Sequence, residues 1–552
     1  WLKSGGPAHA HPPGPRPPLP LFPTVSALVL HCIGSMLALS ALWTAAVGLA
    51  AALPAAPAAD AAGEEACPNL EQSPAQIDEQ SLLQIDLGTK SRGASPWRSW
   101  TGPYRQSLAN MGDLQYTGNV TMGTQELQAV LDTGSFEILV FSRDCWTCGR
   151  AGLRGYSHHT SDTYDAGRLV KTHVYGSGSA RTFDGVELCR VGPYAVQRQD
   201  FWEAMSASMP VLNSASFQAI VGLGPPGEPQ RMAKRLRDSA RRILEAPRAT
   251  DGSRRMASQD LEIAQLILAK NDSFLHNLNL RYISACFEWA SGADGYLIWN
   301  DTPPETQSVP FTSVGVISPI HWSAQMTWSR FEGPEGVIDL GCGTGCEAVL
   351  DTGTSLVAVP SSVYREALNS LNKLDADCNN MAQMPNLVFS LGGHTFSLPP
   401  QSYIGVIRGG APEDPGGWLH ASEPRARACE LLLMDSGSGS SDLGPLWILG
   451  MPFFRYYYTT FDLGSNPFAE SERKIWMAPA AAGCVPADEQ SHSFKVSHAR
   501  QQPLWTINGS SIRIPRMRHR RTSSKVKLAE DRVGAEDEEF EEVVNWRQHS
   551  SK

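Results

Sequence analysis

A short string occurs twice in this chain. Ala129-Val-Leu-Asp132-Thr-Gly134 returns as Ala348-Val-Leu-Asp351-Thr-Gly353, and a hydroxyl residue follows each copy, Ser135 in one and Thr354 in the other. In each copy the apolar residues read as a buried strand that carries an aspartate to its end. The following Thr133-Gly134 or Thr352-Gly353 turns the chain, and the glycine lets backbone N–H groups approach the carboxylate. The hydroxyl is placed to donate to the outer carboxylate oxygen and hold it in orientation. If a pseudo-twofold axis relates the copies, Asp132 and Asp351 meet across it. Two carboxylates in hydrogen-bond reach cannot both ionise easily, so they share one proton and titrate as a pair. One then serves as general base toward a bound water while the other acts as general acid toward a carbonyl oxygen. Such chemistry needs no covalent intermediate and calls for no metal or organic cofactor.

A single Asp-Thr-Gly carries little information, because it arises by accident and related strings occur in phosphotransfer enzymes. Two copies with matching apolar runs downstream, Ile138-Leu-Val-Phe141 and Leu356-Val-Ala-Val359, are informative. Repeats usually signal arrays, but two distant copies imply two related halves. A second correspondence agrees: Ala219-Ile-Val-Gly222 and Trp447-Ile-Leu-Gly450 follow the two aspartates at similar offsets, as strands supporting each loop from below would. From Gly112 to about Ala482 the chain is short β-type runs with glycine and polar turns, which predicts a mainly β protein. The stretch from Arg231 to Arg255 reads as a basic helix followed by a loop, in a solvated surface insertion. The tail beyond Cys484 has a basic cluster, Arg516 to Arg521, then an acidic run, Glu536 to Glu542; opposed blocks of this kind predict disorder.

The chain has 552 residues, 42% hydrophobic and 18% charged. That is long enough for two domains with appendages and is a globular composition. A formal net charge of −10 argues against a nucleic-acid partner, which would need a basic face. Residues 25–53 lack charged side chains, follow Lys3 and Arg16, and precede Asp60, Glu64 and Glu65. The run is long enough to span a bilayer yet trails into small residues that resemble a processing site. It is therefore either a cleaved signal peptide or an uncleaved anchor giving membrane attachment. Either way the remainder enters an oxidising lumen. The 11 cysteines fit that compartment. The close pairs Cys145/Cys148 and Cys342/Cys346 read as disulfide loops in preference to a zinc site. Asn119 and Asn271 open glycosylation sequons.

With these residues assembled, the chain from about Tyr116 to Pro479 resembles the pepsin family of aspartic proteases. Tyr116-Thr-Gly-Asn-Val-Thr-Met-Gly123 is similar to the family's first hairpin, and Phe217-Gln-Ala-Ile-Val-Gly-Leu-Gly224 to its Phe-Asp-Gly-Ile-Leu-Gly-Leu segment. Val174-Tyr-Gly-Ser-Gly-Ser179 resembles the flap, the mobile hairpin that closes over substrate. The resemblance makes Tyr175 the flap tyrosine, with Gly176, Ser177 and Gly178 beside it. It also places Cys378 and Cys429 like the pair of the C-terminal lobe, and leaves Cys67, Cys189, Cys286 and Cys484 unassigned. Departures sit next to the first motif. Leu139 stands where the family has a tryptophan that bonds the flap tyrosine, and Phe136 and Glu137 replace Ser and Asn. Met451 stands where an aspartate is frequent, and the insertion after Gly224 has no counterpart in a minimal member.

The resemblance implies an all-β, bilobal fold with an active-site cleft between pseudo-twofold-related lobes. Residues 1–24 are an N-terminal segment, 25–53 the signal or anchor, and 54–110 a propeptide-like region whose Lys90, Arg92, Arg98 and Arg105 would cover an acidic cleft. Residues 111–290 form the N-terminal lobe with the insertion near 225–260, 291–484 the C-terminal lobe, and 485–552 the tail. The implied function is hydrolysis of extended polypeptide substrates by a monomeric endopeptidase, made as a zymogen and active at acidic pH. It would work in the secretory pathway, in a lysosome- or vacuole-like lumen or outside the cell. The alternatives are a catalytically inactive relative that keeps the fold as a binding or interaction module, or a membrane-tethered interaction protein.

Overall fold

A computed structural model describes residues 101–270, 273–371, 374–375, 377–408, 429–437, 440–441, 443–466, 468–488, 505–508, 512–513 and 526–529. The fold is mostly β, as expected, and two strand arrangements in it repeat each other. Gln125–Asp132 runs parallel to Ala219–Gly222. Ile138–Phe141 lies antiparallel to Ala219–Gly222 and parallel to Tyr194–Ser208. In the other copy Cys346–Leu350 runs parallel to Gly444–Leu449. Val357–Val359 lies antiparallel to Gly444–Leu449 and parallel to Leu433–Asp435. Same order, same directions: the pseudo-twofold read from the repeated string is present in the strand pairing. Ile138–Phe141, Ala219–Gly222, Cys346–Leu350 and Val357–Val359 are buried along their length, which explains their continuous apolar runs; alternation is a signature of strands with one wet face.

The first arrangement belongs to a 15-stranded sheet among the described residues, the second to a six-stranded one. The large sheet continues through Tyr116–Met122, Tyr104–Asn110, Gly295–Trp299, Tyr282–Phe287, Tyr457–Asp462 and Lys474–Ala481. Trp299, Trp322 and Trp447 are fully buried within the cores these sheets enclose. The indole N–H of Trp322 donates to Leu223 O at 2.8 Å, so a ring beside the second arrangement completes a backbone group from the first.

Tyr104–Asn110, assigned above to the propeptide-like region, is an integral strand paired with Gly295–Trp299 and Tyr116–Met122. Its Arg105 does not reach a cleft. The guanidinium stacks 3.7 Å over Tyr296 and donates to Cys484 O at 3.0 Å. Lys90, Arg92 and Arg98 lie outside the described residues, as do the segment 25–53 and Cys67. Among the described residues no helix is long and apolar enough to cross a membrane.

The insertion contains a second helix where a loop was expected. Glu228–Glu245 and Asp251–Leu268 form an antiparallel hairpin. Thr250 caps the second helix by accepting from Ser253 N at 3.1 Å. The Arg254 side chain donates to Leu244 O and Ala246 O, two carbonyls that the end of the first helix leaves open. Ala233 and Ala240 on one helix, and Ala257 and Ala264 on the other, are buried. Nor is the hairpin merely solvated: Ile263 packs with Leu169 and Trp202.

The tail is not uniformly unstructured either. Thr506–Asn508 adds in parallel to Ile404–Arg408, and Val526–Leu528 adds antiparallel to Asp165–Tyr175. Apolar residues around the basic block find partners: Ile507 and Ile512 before it are buried, and Val526 and Leu528 after it pack near Ile263. Arg516 to Arg521 and Glu536 to Glu542 lie outside the described residues.

Candidate active site

Strand pairing brings the two aspartates to matching positions. Asp132 ends its strand opposite Gly222, and Asp351 follows its strand with its amide donating to Leu449 O at 3.0 Å. Each loop then closes in the same way. Ser135 N donates to Asp132 O and Thr354 N to Asp351 O, both at 3.3 Å. Gly224 N binds Ser135 O at 2.7 Å, and Met451 N binds Thr354 O at 2.9 Å. Met451 thus serves through its backbone, so a methionine in place of an aspartate leaves this support intact.

Both carboxylates are held as the repeated string predicts. Gly134 N donates to Asp132 Oδ1 at 3.0 Å and Ser135 Oγ to Asp132 Oδ2 at 2.9 Å. Gly353 N donates to Asp351 Oδ1 at 2.7 Å and Thr354 Oγ1 to Asp351 Oδ2 at 2.6 Å. The glycines are needed for closeness. A Cβ on Gly134 would stand 2.5 Å from Asp351 Cγ, and one on Gly353 would stand 2.3 Å from Asp132 Oδ1. Each bare backbone therefore makes room for the other loop's carboxylate, and the two carboxyl groups face each other closely enough to influence each other's ionisation.

Thr133 and Thr352, predicted only to support their own loops, also link them. Thr133 N donates to Thr352 Oγ1 and Thr352 N to Thr133 Oγ1, while the two hydroxyls reach Leu350 O and Leu131 O.

Burial and proximity separate the two acids. Burial, and then the neighbouring Asp132 charge, push Asp351 up to about 7. Burial also opposes ionisation of Asp132. It is outweighed by the Arg513 guanidinium, the bond with Asp351, the Ser135 hydroxyl and the Gly134 amide, which together hold Asp132 below the ordinary carboxylate range. The pair therefore carries one proton across the mildly acidic range, with the charge on the Asp132 side.

Arg513 is the group the sequence reading missed. Its Nη2 donates to Asp132 Oδ2 at 2.8 Å, and the two side chains are 4% and 5% exposed. The available signal was the Ile512-Arg513-Ile514 alternation inside an otherwise polar tail.

The hairpin resembling a flap is formed by Asp165–Tyr175 and Gly178–Val191. Tyr175 and Ser177 are buried, Gly176 lies in the turn, and Gly178 opens the return strand. Leu139, where an indole was expected, pairs with Trp202 on the adjacent strand. Trp202 Nε1 donates to Glu137 Oε1 at 3.0 Å, and Lys171 Nζ binds Glu137 at 2.6 Å. The unusual Glu137 is thus matched by a lysine from the first strand of the hairpin.

Disulfides join Cys145 to Cys148, Cys342 to Cys346 and Cys378 to Cys429, as expected, so the close pairs are not free for zinc. Cys286 pairs with Cys484, and Cys189 is a buried free thiol. Asn119 is exposed on its strand, with its amide held by Glu126 and Gln128. Asn271 lies outside the described residues.

Residues 115–240 and 287–470 match the family described as "Eukaryotic aspartyl protease". This is more than half of the chain, and the protein belongs to that family. Among curated relatives, cathepsin D of Clupea harengus is 28% identical over 399 residues, covering 70% of this chain and 88% of the relative. Cathepsin E-A of Xenopus laevis is 27% identical over 375 residues, 65% and 80% of the two chains. Pepsin A of Bos taurus is 25% identical over 394 residues, 68% and 87% of the two chains. The family match spans the strands that carry both aspartates.

Proposed function

We propose that the protein is an aspartic endopeptidase that hydrolyses extended polypeptides with a water activated by Asp132 and Asp351. The observation that carries this reading is the equivalence of the two loops, each with its aspartate bound by a glycine amide and a hydroxyl and set close against the glycine of the other loop. Asp132, its carboxylate bound by the Gly134 amide and the Ser135 hydroxyl, takes the proton of the attacking water. Asp351, favoured as the acid, donates to the carbonyl oxygen that becomes negative. Proton transfers of this kind contribute on the order of 10² to 10⁴ each in rate. The proton then returns through the dyad as the amine leaves, and no atom of the enzyme is consumed. The Asp165–Val191 hairpin serves as the flap, with Tyr175 over the substrate.

The shared proton supports activity at acidic pH. Four disulfides among the described residues and membership beside cathepsins and pepsins support passage through the secretory pathway. The residues before the Tyr104 strand supply the removable precursor segment of a zymogen.

The test is cleavage of an unfolded protein across pH 3–7 by wild type, Asp132→Asn and Asp351→Asn, with and without a statine-type transition-state analogue. Acid-dependent cleavage that both substitutions abolish and the analogue blocks is the expected result. Cleavage that persists in either variant, or that peaks near neutral pH, contradicts the reading.

A further inference from the structure

The described part of the C-terminal tail leads directly to the paired carboxylates. It is anchored first at Trp505, whose ring lies 3.6 Å from the Arg455 guanidinium and whose carbonyl accepts from Val406 N at 2.8 Å. A Cβ on Gly405 would come within 2.8 Å of that carbonyl, so this glycine admits the tail. Thr506–Asn508 then extends the sheet beside Ile404–Arg408. Ile507 and Ile512 are buried in the apolar cluster that contains Val349 and Leu356, which flank the Asp351 loop. At the next residue the backbone makes a two-point contact: Arg513 N donates to Ser355 Oγ at 2.8 Å, and Ser355 N donates to Arg513 O at 3.2 Å. From there the side chain crosses to Asp132 Oδ2. Its Nη1 lies 3.0 Å from where a Cβ on Gly353 would stand, so the guanidinium faces both loops.

We propose that the C-terminal tail is a ligand of the chain's own cleft, and that Arg513 occupies the place where water and a substrate carbonyl would meet Asp132. The inference rests on the peptidase reading above. A carboxylate oxygen already bound to a hydroxyl and a buried guanidinium is not available to take a proton from water. The arrangement also differs from a permanent strut in one respect. Arg513 Nη1 is buried without a hydrogen-bond partner among the described residues, a defect that opposes the contact and is relieved when the tail leaves. A second hold lies at the flap, where Val526–Leu528 pairs with the outer edge of Asp165–Tyr175. The same tail thus restrains the hairpin that must move over a substrate. The chemistry recognised is that of an extended peptide presenting an arginine between apolar anchors.

The experiment uses the full chain, wild type and Arg513→Ala, each exposed to pH 4 beforehand. It reads kcat and KM on an unfolded protein substrate, and Kd for the statine-type analogue by calorimetry. Because a self-occupied site lowers the competent fraction, KM and Kd should fall together, by about tenfold or more, with kcat changing less. Ile512→Asp, which keeps Arg513 but removes its apolar anchor, should shift both constants in the same direction and covers the case in which Arg513→Ala fails to fold. If wild type cleaves and binds the analogue as well as folded variants do, within twofold, the self-ligand inference is overturned while the peptidase reading stands. If neither wild type nor folded variants cleave or bind the analogue, the peptidase reading fails and the inference falls with it.

Discussion

Thr133 and Thr352 exchange hydrogen bonds across the pseudo-twofold, each backbone amide donating to the other's hydroxyl at 3.1 and 3.0 Å. Each hydroxyl in turn donates to a carbonyl beside the opposite aspartate. The aspartates are therefore aligned by a lattice that belongs to neither half alone.

Thr133→Val keeps the shape and removes that lattice's hydroxyl. It leaves the Thr352 amide and the Leu350 carbonyl buried without a partner, at about 1–3 kcal/mol for each group. Thr133→Ser keeps both bonds and should cost much less. Urea unfolding checks the difference, and equal midpoints for the two variants would refute the cross-link's importance. Cleavage by Thr133→Val should drop further than its stability loss explains, because misalignment acts on the chemical step.

Asp351 gives a pH dependence with a defined sign. Its folded value, about 7, lies above its ordinary 3.8. The folded protein therefore holds a proton that the unfolded chain releases. The associated stability is complete below about pH 3.8 and is lost as pH rises toward 7. Asp351→Asn cannot titrate there, so its stability relative to wild type should climb by on the order of 1 kcal/mol per pH unit between those limits. Denaturation at pH 4, 5.5 and 7 measures it. A constant difference across the three would show that Asp351 is not raised.

Glu137 and Lys171 form a buried ion pair at 2.6 Å, with side chains 11% and 8% exposed. Removing one partner leaves the other charge buried, so Glu137→Gln should destabilise by about 3 kcal/mol. The double variant Glu137→Gln with Lys171→Met should recover part of the loss, since it strands no charge. A double variant as unstable as the sum of the singles would mean the pair is not coupled.

The legibility of the chain followed the physics of each segment. The aspartate strands and their glycine-ended partners were readable because an identical string, buried on both faces, has one structural meaning. The disulfides closed over few residues were readable for a similar local reason. Cys286 with Cys484 was not, because a bridge spanning 198 residues is set by the sheet. Nor was the role of Trp202, which reaches Glu137 from a strand far along the chain. The second insertion helix was missed because Asp251 to Leu268 mixes polar and apolar residues without a clean stripe, and its stability comes from the buried alanines and Ile263. Charge composition concealed the tail: short apolar groups on either side of the basic block suffice to dock when a groove is already formed. Opposite each feature that composition predicted poorly stands a tertiary partner that composition does not record.

The disulfide between Cys286 and Cys484 has a consequence for how the chain responds to cutting. A break at any position between those cysteines leaves one covalent molecule, and such a product separates only on a reducing gel. Beyond Cys484 the sequence has no further cysteine. A single cut between Asp488 and Trp505 would therefore turn the tail from a tethered group at an effective concentration near the millimolar range into a free peptide. Dilution alone would then empty the cleft, and the activity of the cut protein should rise as its concentration is lowered.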